Sequence, residues 1–282
     1  MSNLIITLTL TKQQINEIGE ILSSNKVSKN PPYSIYQLKC EGCVITAYTS
    51  GKVVFQGKDA ELYASKYMQK KEIILPQAGS DEVGTGDYFG PVCVCASYVD
   101  DKVKKLVQTL NVRDSKALTD KEIRSIAPIL EKNIIHSTLI LMPSKYNKVH
   151  DTNNMNSIKA KLHNQAYINL SKKVPLPDFK IIDQFTPENL YYRYISDVPT
   201  VIRNIHFETK AEDKYLSVAI SSMIARNAFL DTLDKMNEAY GMTFQKGGGS
   251  QADECAREFI QKYGFDKLGE VAKLHFKNTE RL

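Results

Sequence analysis

No apolar run in these 282 residues approaches the ~18 that a bilayer span requires, so no membrane segment is expected. The first residues lack a basic leader and a small-residue cleavage site; secretion is not expected, and the cytoplasm is the expected compartment. Five cysteines, an odd number at irregular spacing, give no disulfide framework and suit a reducing environment. Cys40-Glu-Gly-Cys43 has the spacing of half a zinc site, but no second cysteine pair or histidine pair stands at ligand spacing, so a turn is expected there. The five histidines form no ligand pattern, and His275 is expected to be structural. Repeats and low-complexity tracts are absent. No arginine precedes Arg113, and the first 70 residues hold eight lysines against five acids, carrying +3 of the net +5. Such a segment is a candidate surface for a phosphate backbone, although a solvated lysine face gives the same count.

What is present reads as two domains. Hydrophobic content of 42% and charged content of 24% are those of an ordinary globular protein, and the length is ample for two cores. Strand-like alternation over residues 3–10 precedes a helix capped by Thr11. Strand runs over 33–38, 43–48 and 52–56 follow, then a helix near 58–70. That order predicts a small α+β domain over residues 1–70, an antiparallel sheet backed by helices. Its sheet carries Tyr33, Tyr36, Tyr48 and Phe55 among the lysines, a nucleic-acid-binding pattern that core aromatics would equally produce. Residues 71–77 are expected to link it to a second domain over 78–282. There strands near Asp81, 92–99, 136–142, 179–182 and 200–206 alternate with helices near 101–110, 119–131, 157–170, 186 onward, 214–240 and 251–263. Residues 143–156 are expected to be irregular. This is an α/β pattern: a mixed sheet flanked by helices.

The second domain opens on Gly79-Ser-Asp-Glu-Val-Gly-Thr-Gly-Asp-Tyr-Phe-Gly-Pro91. Neighbouring side chains of a strand diverge, so Asp81 and Glu82 would face opposite ways unless the glycines bend the chain. Two acids beside bare backbone N–H groups suit a divalent cation together with a phosphate; a surface hairpin would leave them merely solvated. Asp183 ends the strand over 179–182, and working groups of such sheets gather at strand carboxyl ends. Two-metal hydrolysis of a phosphodiester needs a further acid. Glu212 is the best placed, with Glu188 and Asp213 competing; an acid heading a helix also complements its dipole.

Together, residues 79–91, the Asp114-Ser-Lys-Ala-Leu118 loop, Asp183, and the Lys210-Ala-Glu212 and Ser217–Ser222 stretch resemble the type 2 ribonucleases H. Thr85 stands where ribonucleases HII carry arginine, and Glu212 where they usually carry aspartate. Both are features of the ribonuclease HIII family. Residues 48–57 and the helix after them resemble one repeat of the TATA-box-binding protein, a domain that ribonucleases HIII carry at their N-terminus to grip substrate. The resemblance implies a ribonuclease H-like fold with a TBP-like N-terminal domain, and an endonuclease that cuts the RNA strand of RNA–DNA hybrids. It implies Mg²⁺ or Mn²⁺ in a two-metal site held by Asp81, Glu82, Asp183 and Glu212, and 5′-phosphate and 3′-hydroxyl products. Gly84, Thr85 and Gly86 would meet 2′-hydroxyls, and Lys116 a phosphate. A monomer acting away from membranes is expected. A nuclease that nicks at single ribonucleotides and a non-catalytic nucleic-acid-binding protein are the competing readings.

Overall fold

β-Branched residues open the chain as strand β1 (Ile5–Thr9), and Thr11 then caps helix α1 (Lys12–Ile21) in a capping box with Gln14. Strands β2 (Ser34–Cys40), β3 (Cys43–Tyr48) and β4 (Lys52–Gln56) follow, then a short helix α2 (Ala60–Ala64). The computed structural model describes residues 4–67, 74–110 and 118–282. Lys116 and its loop over 113–117 lie outside the described residues. The chain divides into two compact units, Met1–Glu72 and Ile73–Leu282.

In the first unit the strands run antiparallel in the order β1-β4-β3-β2. One face buries Leu38, Ile45, Val53 and Phe55 against Ile15 and Ile18 of α1. Tyr36 and Phe55 belong to this core, so they are not part of an aromatic surface; of the four sheet aromatics only Tyr33, 85% exposed, and the half-buried Tyr48 reach solvent. The alternation of the strands turns Thr7, Gln37, Lys39 and Lys52 to the other face, where Gln37 Nε2 donates to Thr46 Oγ1 across β2 and β3 (3.0 Å). Cys40 and Cys43 stand opposite one another across a two-residue turn in which Gly42 has φ +67°.

The second unit is built on β5 (Gln77–Val83), whose first residue, Gln77, already belongs to the sheet rather than to a linker. Strand β6 (Val92–Val99) returns antiparallel to it. Helices α3 (Asp101–Thr109) and α4 (Asp120–Asn133) then lead to the edge strand β7 (His136–Leu141). Residues 143–150, expected to be irregular, form helix α5 (Pro143–His150) with proline in its first turn. Its anchor is tertiary: Asn147 Nδ2 donates to the carbonyls of Gly269 (3.0 Å) and Ala272 (2.9 Å). Helix α6 (Met155–Ser171) crosses to β8 (Phe179–Asp183), which lies parallel to β5. Pro187 occupies the N-cap position of α7 (Glu188–Tyr194) rather than the first helical position. Strand β9 (Ile205–Glu208) starts later than the apolar pattern suggests, because Asn164 on α6 takes the Ile202 N–H (2.9 Å) and donates to the Thr200 carbonyl (2.8 Å). The long α8 (Leu216–Tyr240), then α9 (Ser250–Tyr263), α10 (Leu268–Val271) and α11 (Lys277–Glu280) complete the chain.

The sheet order is β7-β6-β5-β8-β9, antiparallel on one side of β5 and parallel on the other. Both faces are covered. Cys93 and Cys95 of β6 pack in the core formed with α8, whereas Val92, Val94 and Ala96 pack in the one formed with α6, which is why β6 is apolar throughout. On β5, a Cβ on Gly79 would lie 2.4 Å from Ser217 Oγ and 2.5 Å from the Val218 nitrogen. Only glycine lets α8 approach this closely, and the Ser221 hydroxyl seals the contact by donating to the Gly79 carbonyl (2.8 Å).

Candidate active site

Asp81 lies one residue past Ser80, which pairs with Ile182, and Asp183 lies one residue past Ile182. The parallel register therefore sets the two carboxylates side by side, near the carboxyl ends of β5 and β8. Asp81 turns toward α8. It is 7% exposed and accepts from the Glu82 N–H (2.8 Å), and the Ser222 hydroxyl, not among the expected site residues, favours its ionised form. Burial, then the charges of Glu82 and Asp183, push its carboxyl well above the ordinary carboxylate range.

Asp183 Oδ1 accepts from the Ala211 N–H (2.9 Å), at the start of the 3₁₀ turn Ala211–Asp213 that precedes α8. Glu212 occupies the middle of that turn, close enough for its carboxylate to act on Asp183. Burial, followed by the charge and hydrogen bond of Glu212 and the charge of Glu82, raises the Asp183 carboxyl. The other acids weighed for this place stand apart: Glu188 is exposed at the head of α7, and Asp213 is exposed at the end of the turn. Glu208, opposite Asp183 on β9, is bound by Lys214, Tyr215 and His206, which bring its carboxyl down to about 2.

Glu82 faces the other side of β5, as strand alternation requires. Its Oε2 accepts from His163 Nε2 (2.8 Å), and its Oε1 is paired with Lys159; both partners come from α6. Burial raises the Glu82 carboxyl, but the hydrogen bonds and charges of His163 and Lys159 outweigh it and hold the group below its usual range. Lys159 and His163 are absent from the sequence reading. Their i, i+4 spacing on one helix face, opposite Ser80 and Glu82 on one strand face, is the signal that could have found them.

Beyond Glu82 the chain turns through Gly84, whose φ of +95° strains any side chain and whose Cβ would meet the Pro91 carbonyl at 2.2 Å. Gly86 is exposed with open space around it, and Thr85 is half-buried between them. The C-terminal part of the chain holds this turn from beneath. Asp87 Oδ1 accepts from the Gly247 N–H (2.6 Å), and the buried Lys273 donates to the Gly90 carbonyl (2.6 Å), its ammonium pushed down to about 7 by burial. Arg226, two turns along α8, binds Asp120 and the Leu118 carbonyl rather than the carboxylates. His275 stacks on His150 with ring centroids 4.2 Å apart and donates to or accepts from Tyr146 (3.3 Å); burial holds it down to about 4.

Four acids supplying only oxygen are the donor chemistry of Mg²⁺ and Mn²⁺. Asp81 and Asp183 are under protonation pressure that a cation would relieve, and in this respect the residues fit a divalent metal. Among the described residues no three such side chains already surround a common cation position: Glu82 is turned onto α6, and Asp183 lies beside Glu212.

The comparisons place this geometry in a class. A family model described as ribonuclease HII matches residues 78–279, and one described as domain of unknown function (DUF3378) matches residues 6–77. The fold around the carboxylates is thus that of a ribonuclease H-type hydrolase. Ribonuclease HIII of Streptococcus agalactiae is 41% identical over 98% of this chain and 97% of its own length, and that of Streptococcus pneumoniae is 42% identical over 98% of each. The crystal structure of Bst ribonuclease HIII in complex with Mn²⁺ superposes with a TM-score of 0.74 at 34% identity, covering 99% of this chain and 97% of that one. The chain belongs to the ribonuclease HIII family.

The raised Asp183 carboxyl makes a stability prediction. In the unfolded chain an aspartate loses its proton near pH ~4. The folded protein keeps the proton to higher pH, so stability falls as pH rises through the raised range and the cost persists above it. Asp183→Asn keeps an oxygen for the Ala211 N–H and an amide hydrogen for Glu212. At pH 7.5 without divalent metal it should melt about 2–4 °C above the wild type, the shift that ~1 kcal/mol produces in a domain of this size. The difference should vanish toward pH ~4. A variant that melts at or below the wild-type temperature at pH 7.5 contradicts the assignment.

Proposed function

We propose that the protein is an endonuclease that hydrolyses the RNA strand of RNA–DNA hybrids, leaving 5′-phosphate and 3′-hydroxyl ends. Asp81, Glu82, Asp183 and Glu212 are its metal ligands, holding two divalent cations, Mg²⁺ or Mn²⁺. The observation that carries this reading is the pair Asp81 and Asp183, side by side on parallel strands with both carboxyls raised, and Glu212 beside the second. Bound cations supply an activated water and charge neutralisation at the leaving 3′-oxygen.

The chain's own groups do the positioning. The Ala211 N–H holds one oxygen of Asp183, and the Glu82 N–H holds one oxygen of Asp81 beside the Ser222 hydroxyl. The Gly84-Thr85-Gly86 turn offers backbone groups to the 2′-hydroxyls beside the cut, contacts that DNA could not make. The open space around Gly86 suits a close approach of the sugar. Lys116 is assigned a phosphate contact. In the first unit, Lys39 and Lys52 on the open sheet face supply positive charge for the hybrid's backbone. Residues 1–70 thereby act as a substrate-gripping domain, and nothing in the reaction requires a second copy of the chain.

Two labelled substrates test the activity: a continuous RNA–DNA hybrid, and duplex DNA with one embedded ribonucleotide. With Mg²⁺ or Mn²⁺ the wild type should cut the first far faster than the second. Asp81→Asn should abolish cutting, a loss of at least ~10³-fold, while hybrid binding persists. Preference for the lone ribonucleotide, or near-normal turnover by Asp81→Asn, defeats the reading. The gripping role has its own test in the paired change Lys39→Gln and Lys52→Gln. It should weaken hybrid binding and reduce the slope of log affinity against log salt by about 1–2. An unchanged slope removes that role.

A further inference from the structure

Helix α6 brings a second set of polar groups to the site, separate from Asp81, Asp183 and Glu212. Ser80 and Glu82 share the β5 face turned toward it, and Lys159 and His163 stand one helical turn apart. His163 joins the two strand residues: Nε2 lies 2.8 Å from Glu82 Oε2, and Nδ1 lies 2.7 Å from Ser80 Oγ. The ring is fully buried and stacked on Phe185, two residues past Asp183, with centroids 5.4 Å apart. Lys159, also over the Phe185 ring at 3.9 Å, takes the other Glu82 oxygen.

The hydrogen-bond count fixes the direction of the Glu82 contact. When Ser80 gives its hydrogen to Nδ1, the ring carries a hydrogen on Nε2. Alternatively Ser80 donates to the Cys95 carbonyl, 2.8 Å away, and Nδ1 carries a hydrogen of its own for Ser80. In both arrangements Nε2 donates to the ionised Glu82. An imidazole this deeply buried is a costly space-filler unless both nitrogens are satisfied, and here each has one partner.

We propose that His163, braced by Ser80, is a positioning residue that holds the Glu82 carboxylate at the end of β5 for a divalent cation. The inference rests on Glu82 being a ligand. Each Glu82 oxygen accepts one hydrogen bond from α6 and keeps a lone pair for a cation. Groups that orient a ligating carboxylate in this way typically change metal affinity by ~10–100-fold when lost.

The test is calorimetric titration of Mn²⁺ into the metal-free full-length protein, with hybrid cleavage followed in parallel against Mn²⁺ concentration. Glu82→Gln and His163→Phe should each weaken Mn²⁺ binding by ~10–100-fold. His163→Gln, which restores a donor near the Nε2 position, should recover most of the affinity. Cleavage by His163→Phe should climb back as Mn²⁺ is raised, a response that a packing defect would not give. Wild-type or tighter Mn²⁺ binding by His163→Phe, with Glu82→Gln weakened, overturns the positioning role alone. No effect of Glu82→Gln removes Glu82 as a ligand and the inference with it. If His163→Phe does not fold, Ser80→Ala decides: it should bind Mn²⁺ more weakly, and unchanged affinity overturns the proposal.

Discussion

Repulsion among carboxylates crowded at the ends of two parallel strands is the constraint on which the rest of the site depends. Burial makes each charge harder to hold, and proximity makes the second harder than the first. The protein answers differently for each acid. Asp81 receives a hydroxyl and a backbone N–H, Asp183 receives a backbone N–H beside Glu212, and Glu82 receives two side chains from α6. Asp81 and Glu82 are adjacent in sequence, yet one carboxyl is raised and the other lowered. The difference is the helix that each faces, which strand alternation decides.

That arrangement needs a central strand covered on both faces, and β5, like β6 beside it, meets both α8 and α6. Gly79 lets α8 come close enough for Ser222 to reach Asp81. Gly84 then turns the chain immediately after the acids, and Lys273, Gly247 and the helices that follow hold the turn in place. The glycine turn and the carboxylates are therefore positioned by opposite ends of the unit: the acids by the sheet, the turn by the C-terminal residues.

Much of this was legible in the sequence because it is local. Thr11 and Thr119 announce their helices by reciprocal bonds to Gln14 and Glu122. The unbroken apolar character of β6 states that both its faces are buried, and the glycines after Glu82 mark a turn. Non-local facts were not legible. Helix α5 is polar in sequence and owes its place to Asn147 reaching residues 269–272. His163 lies 81 residues from Glu82, so only the fold shows that they meet. The sequence left Tyr36 and Phe55 open as surface or core aromatics, and only strand alternation in the fold turns them into the core. The carboxylates could be named from the sequence, but the opposite shifts of Asp81 and Glu82 could not, because they arise from the burial of Asp81 and from the α6 partners of Glu82.

The raised carboxyls of Asp81 and Asp183 favour protons that a bound cation must displace. Calorimetry of Mg²⁺ binding to the metal-free protein, repeated in buffers of different ionisation enthalpy, counts those protons directly. Net proton release should grow as the pH is lowered into the raised range of Asp81 and Asp183. Binding with no proton release at any pH would contradict it.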